Sequence, residues 1–169
     1  ENRFVDEIHS DSGVDYHFTH TGKIASCIAE AHPLVLSQLC EHQDYFEQYN
    51  PKQIIGILSC FADVKVSDDM KQVIPNCSDY HVTNVVETIK DMIGEYEDTE
   101  NENRIWTGYN YSDALQYDLM ELSMGWCDCN TEYECKYFIQ DKVAEKEISI
   151  GDFNKALLKI VTTAKELAN

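Results

Sequence analysis

No stretch of this chain reaches 18 consecutive apolar residues, so a membrane-spanning helix is not expected. The first residues, ENRFVDEIHS, offer no basic n-region followed by an apolar h-region, and no secretory leader is expected either. Positive charge is scarce. Thirteen Lys and Arg stand against 31 Asp and Glu, for a net charge of −18, so the far field repels polyanions. Any contact with RNA must then be local, or the attraction must come from other parts of a larger molecule. The phosphate-cradling loop GxxxxGK[ST] is missing, because Gly22-Lys23 is followed by Ile24 and position 17 is His17 rather than glycine. The six histidines form no HExxH metalloprotease motif, and no internal repeat or low-complexity segment occurs. The seven cysteines are odd in number and scattered, several at apolar helix positions as Cys60 is. That pattern argues against a disulfide framework and for a reducing, intracellular compartment, cytoplasmic or nuclear.

What is present suits one domain. With 43% hydrophobic residues in 169, the chain can build a core that buries about 70% of its extended surface. Arg3 to Ile8 and Val14 to Phe18 read as strands around a turn from His9 to Gly13, with Val14, Tyr16 and Phe18 alternating against Asp15 and His17. His17 and His20 read as surface or turn residues. His32-Pro33 opens a helix to about Cys40. Asn50 is an N-cap, Pro51 sits at the first helical position and Gln53 completes a capping box for a helix to about Ala62, whose buried face is Ile54, Ile57, Leu58 and Phe61. Val64 to Pro75 has no helical period and reads as a loop. Val82, Val85, Val86, Ile89 and Ile93 mark an amphipathic helix from Asp79 to about Glu95, capped by Ser78 or Asp79. Gly94 to Gly108, rich in Glu and Asp, reads as a solvated connector. Ser112 is expected to cap a helix with Leu115, Leu119, Leu122 and Trp126 on one stripe, and Thr131 a shorter one with Cys135, Phe138 and Ile139 inside. The last helix carries Phe153, Ala156, Leu157, Ile160, Ala164 and Leu167 on its core stripe, with Lys155, Lys159, Thr162, Thr163 and Glu166 opposite. The expected fold class is all-α, a helical bundle with a short N-terminal β-hairpin.

The wording of three segments adds to the periodicity. The order glycine, basic, apolar, alanine in Gly22 to Ala25, the apolar helix at Leu34 to Leu39, and Leu58-Ser59-Cys60-Phe61 together resemble the C-terminal helical (DSHCT) domain of exosome-assisting DExH-box RNA helicases of the Ski and Mtr type. The resemblance runs from about Gly22 onward. It implies a hairpin at residues 1–20 that is the remnant of a winged-helix wing, the alternative from the residues alone being a two-stranded flap on a helical protein, and a DSHCT-like bundle at residues 21–169 that is expected to stop short of a further family helix. It also implies a RecA-like helicase core in the same polypeptide, ATP and magnesium bound in that core rather than in this chain, RNA as a partner, and RNA-decay machinery as a further one.

Candidate chemistry is sparse. Asp6-Glu7-Ile8-His9 spells a DExH box, but without a phosphate loop it reads as a coincidence of letters, and no catalytic residue is expected here. Cys127, Cys129 and Cys135 could hold a soft metal with a fourth ligand from elsewhere, yet C-x-C-x5-C matches no common zinc knuckle, and no metal is assigned. Lys155 and Lys159 lie four apart, a spacing that lets both project about one turn apart toward a nucleic-acid backbone. The resemblance places basic residues of the RNA-guiding helix at these offsets from Gly151 and at Lys165. This chain departs from it: lysine replaces arginine, losing the bidentate fork, and the acidic pair expected near Val161 and Thr162 is missing. The competing expectation is an acidic helical adaptor that binds a basic protein partner and no nucleic acid.

Overall fold

The computed structural model describes residues 3–168. Two antiparallel strands, β1 (Val5–Ser10) and β2 (Gly13–Phe18), precede seven helices: α1 (His20–Cys27), α2 (Pro33–His42), α3 (Pro51–Leu58), α4 (Tyr80–Asn103), α5 (Met120–Trp126), α6 (Glu132–Phe138) and α7 (Ile150–Leu167). Helix α3 is the hub, packed on α4, α5 and α7, while α2 joins α1 to α4. The all-α bundle with its hairpin is the architecture that the periodicities imply. Among the described residues no helix is long and apolar enough to cross a membrane.

The hairpin is tighter than expected and faces water on both sides. Register runs from Val5↔Phe18 to Ser10↔Gly13, so the strands start at Val5 and reach Ser10, and the turn is only Asp11-Ser12. Gly13 supplies the left-handed φ of 142°, and the Ser10 hydroxyl donates to its carbonyl. Tyr16 and Phe18 remain more than half exposed. A two-stranded ribbon alone is marginal in water, and this one is anchored at its base. The Thr19 amide donates to the Phe4 carbonyl at 3.1 Å, the Thr19 hydroxyl donates to the Arg3 carbonyl at 2.6 Å, and the same Thr19 oxygen caps α1 by accepting from the Gly22 amide. A Cβ at Gly22 would collide with the Phe4 carbonyl oxygen, which is why the Gly22 to Ala25 segment opens on glycine. Helix α1 was outside the sequence expectation, and His20 is its exposed first residue rather than part of a turn.

Helix α3 follows its sequence closely. The Asn50 carbonyl oxygen of the side chain accepts from the Gln53 amide, the Gln53 side chain accepts from the Asn50 amide, and Ile57, Leu58 and Phe61 are buried. Its last turn tightens to 3-10 geometry over Ser59–Phe61. Asp79, not Ser78, caps α4, accepting from the His81 and Val82 amides and from the Gln53 side chain, so one carboxylate ties two helix starts together.

Two expectations fail for tertiary reasons. The acidic connector is not a loop up to Gly108: α4 continues through Asn103, because Glu is a good helix former and because the far half is pinned. Tyr96 donates to Gln38 on α2 at 3.0 Å, and Glu100 accepts from Tyr111 at 2.6 Å and Thr107 at 2.9 Å. Arg104 then ends the helix in the left-handed region. The helix expected from Ser112 begins only at Met120, preceded by a 3-10 turn at Tyr111–Asp113. The intervening residues bond to the loop after α3 instead: the Gln116 amide donates to the Cys60 carbonyl at 2.8 Å, and buried Asp118 accepts from the Gln72 amide. Helix α6 starts at Thr131 as expected, but Cys135, Phe138 and Ile139 are only half-buried.

Candidate nucleic-acid face

Helix α7 begins where the Ser149 hydroxyl accepts from the Asp152 amide at 3.0 Å. Phe153, Ala156 and Ile160 are buried, with Phe153 edge-on to Trp126 at 5.6 Å. Thr163, expected on the polar face, is buried too, and its hydroxyl donates back to the Lys159 carbonyl. Glu166 is occupied as well, accepting from the Ala29 and Glu30 amides at the end of α1. The outward face of α7 is therefore narrower than its sequence suggests.

Of the three candidate lysines, the fold brings two together. Lys155 is exposed, and Lys159 is half-buried with its ammonium 2.8 Å from Asp63. Both border one cleft of about 290 Å³, whose rim also carries Lys65, Asp63, Asp152 and Gln116. Lys165 stands apart, roughly 9 Å beyond Lys159 along the axis, beside an apolar groove of 350 Å³ formed by Ile55, Trp126, Leu157 and Val161. Lys65 and Asp63 were missed by sequence reasoning. They sit in a segment without periodicity, and nothing in local spacing relates them to a helix about 90 residues on. What holds them there is Gln116, whose side-chain oxygen accepts from the Val64 amide at 3.1 Å while its own amide is bound to Cys60.

The other candidate groups lie elsewhere in the fold. Asp6 and Glu7 are adjacent on β1 and so point to opposite faces of the ribbon. They do not converge on a common point. Cys127 and Cys129 cap the end of α5, their thiols donating to the Ser123 and Gly125 carbonyls. Burial pushes both thiols above their ordinary pKa. No group of three or more His, Cys, Asp or Glu is placed to hold a metal ion among the described residues.

The family model of the DSHCT (NUC185) domain matches residues 15–135, from β2 into α6. The chain belongs to the DSHCT domain family. DSHCT domains are helicase-associated C-terminal domains. No curated protein matches the chain. In this DSHCT domain the matched residues hold α1 to α5 and the loop that carries Asp63 and Lys65, whereas α7 and its three lysines lie beyond them.

Proposed function

We propose that this DSHCT domain is the C-terminal accessory domain of an ATP-dependent RNA helicase of the exosome-assisting Ski and Mtr type. It guides the RNA strand from a RecA-like core, using Lys155 and Lys159 on α7 as backbone contacts and Lys165 as an outlying one. ATP and magnesium belong to the core, and the N-terminal hairpin is the wing of the preceding winged-helix module. RNA-decay proteins are the partners that such a helicase serves. The observation that carries this reading is the family match, and the shared cleft of Lys155 and Lys159 supports the assignment of the contact. The chain by itself turns over no nucleotide.

The test is RNA affinity of the full-length protein across a salt series, with and without Lys155→Gln/Lys159→Gln. Each lost phosphate contact lowers the log–log salt slope by about one unit. Equal slope and affinity refute the guiding role. A second reading, an adaptor for a basic protein partner, is favoured by the net charge of −18 and by Glu95, Glu97, Asp98 and Glu102 exposed on α4. Salt-sensitive binding of a basic protein, with no RNA affinity, selects it.

A further inference from the structure

The cleft between the N-terminal half of α7 and the segment that follows α3 holds three lysines and two aspartates, in a chain where acids outnumber bases more than two to one. Asp152 is engaged at the start of α7, where the Ser149 hydroxyl donates to it at 2.8 Å. Asp63 is engaged by Lys159 alone among the described residues, at 2.8 Å, and its side chain is 72% exposed against 29% for the lysine. Lys65 lies two residues on, anchored through Val64, which is 8% exposed and held by Gln116. Asp63, Lys65, Lys155 and Lys159 are thus fixed around one space by a clamped backbone and a helix, not by a free loop.

We propose that Lys65 is a third phosphodiester ligand of this cleft and that Asp63 is its resident counterion, a carboxylate that a phosphate group displaces from Lys159. The proposal rests on the RNA-guiding reading and deepens it. A carboxylate and a phosphodiester both present anionic oxygens to an ammonium, so only one of them takes the same Lys159 position at a time. Because Asp63 is largely in water, releasing Lys159 leaves no buried unpaired charge. The Asp63 pair thus keeps Lys159 extended toward the cleft when RNA is absent and subtracts from its affinity when RNA arrives. Lys65 approaches the same phosphate track from the opposite wall, which sequence spacing along α7 does not supply.

The experiment measures oligouridylate binding by the full-length protein over a salt series, for wild type, Lys155→Gln/Lys159→Gln, Asp63→Asn, Lys65→Gln and Asp63→Asn/Lys159→Gln. Asp63→Asn should tighten binding about two- to fivefold, the range given by losing an exposed ion pair. The gain should vanish when Lys159 is also replaced. Lys65→Gln should weaken binding and lower the salt slope by about one unit. The thermal melt of Lys65→Gln should match wild type, since that side chain is exposed, and Asp63→Asn should melt only slightly lower, by the small contribution of its exposed pair with Lys159. If Lys155→Gln/Lys159→Gln weakens binding while either Asp63→Asn or Lys65→Gln behaves as wild type, the inference is overturned and RNA guidance stands. If wild type shows no salt-dependent binding, or Lys155→Gln/Lys159→Gln leaves it unchanged, the guiding reading fails and the inference falls with it.

Discussion

The imidazole of His32 meets the Tyr109 ring edge to face, with centroids 4.5 Å apart and planes at 80°. Tyr96 and Tyr111 lie at 5.3 and 5.9 Å on its other sides. The ring also serves the backbone, since Nδ1 accepts from the Val35 amide at 3.3 Å and so caps α2. One buried histidine therefore fastens α2, the far half of α4 and the segment after it.

This contact predicts a pH dependence. Burial holds the His32 pKa below its ordinary value of 6.5, although Glu100 pulls the other way. A depressed value means that the folded state favours the neutral ring, so the contribution is complete above about pH 6.5 and is lost as pH falls through the lower folded value. Urea midpoints of wild type and His32→Asn should differ most above the ordinary value of 6.5 and converge as pH falls below it. A gap that is constant with pH would show that the ring's proton plays no part. Glu100, held low first by the Tyr111 hydroxyl, keeps its own contribution down to the acid range and loses it only below the ordinary carboxylate value of 4.5.

Phe61→Ala should cost about 3 to 5 kcal/mol, because the ring is 5% exposed at the junction of α3, α5 and α7. Denaturant unfolding measures it. An unchanged midpoint would mean that this face meets a partner rather than the core.

Gly22→Ala should weaken the hairpin without unfolding the bundle. The added methyl meets the Phe4 backbone, which cannot rotate away as a side chain can, and a cost of about 1 to 3 kcal/mol follows. Hydrogen exchange at the Thr19 amide, bonded to Phe4, should quicken while α4 amides stay protected.

Lys159→Glu and Lys155→Glu should differ in stability. The first sets a carboxylate against Asp63 and should cost up to about 1 kcal/mol, while the exposed second stays within about 0.5 kcal/mol. High salt should remove the difference. Equal midpoints at low salt would show that the Lys159–Asp63 pair has no energetic content.

Helix α3 was legible down to its cap because everything that starts it is local: Asn50, Pro51 and Gln53 act on one another's backbone. The core stripe of α7 was legible for the same reason. The far half of α4 was not, since its glutamates carry no apolar period and the groups that pin it, Gln38 and Tyr111, are remote or on another segment. Leu115 and Leu119 show the converse error, whereas Leu122 lies in α5 and is buried. The first two repeat at helical spacing, but the Gln116 amide donates to the Cys60 carbonyl, its side-chain oxygen accepts from the Val64 amide, and Asp118 accepts from the Gln72 amide, so these residues serve the segment after α3 rather than a helix. In the candidate site, the spacing of Lys155 and Lys159 could be read directly. Asp63 could not, standing 96 residues before its partner.

Helix α4 spans 24 residues, about 36 Å, and is braced twice beyond its core contacts, at Tyr96 and at Glu100. In mechanical terms it is a lever with its fulcrum at α2. Trp106, 90% exposed, stands just past its tip. The far end of α4 is thereby tied, through the Glu100–Tyr111 hydrogen bond and the Tyr111–His32 ring contact, to the first turn of α2.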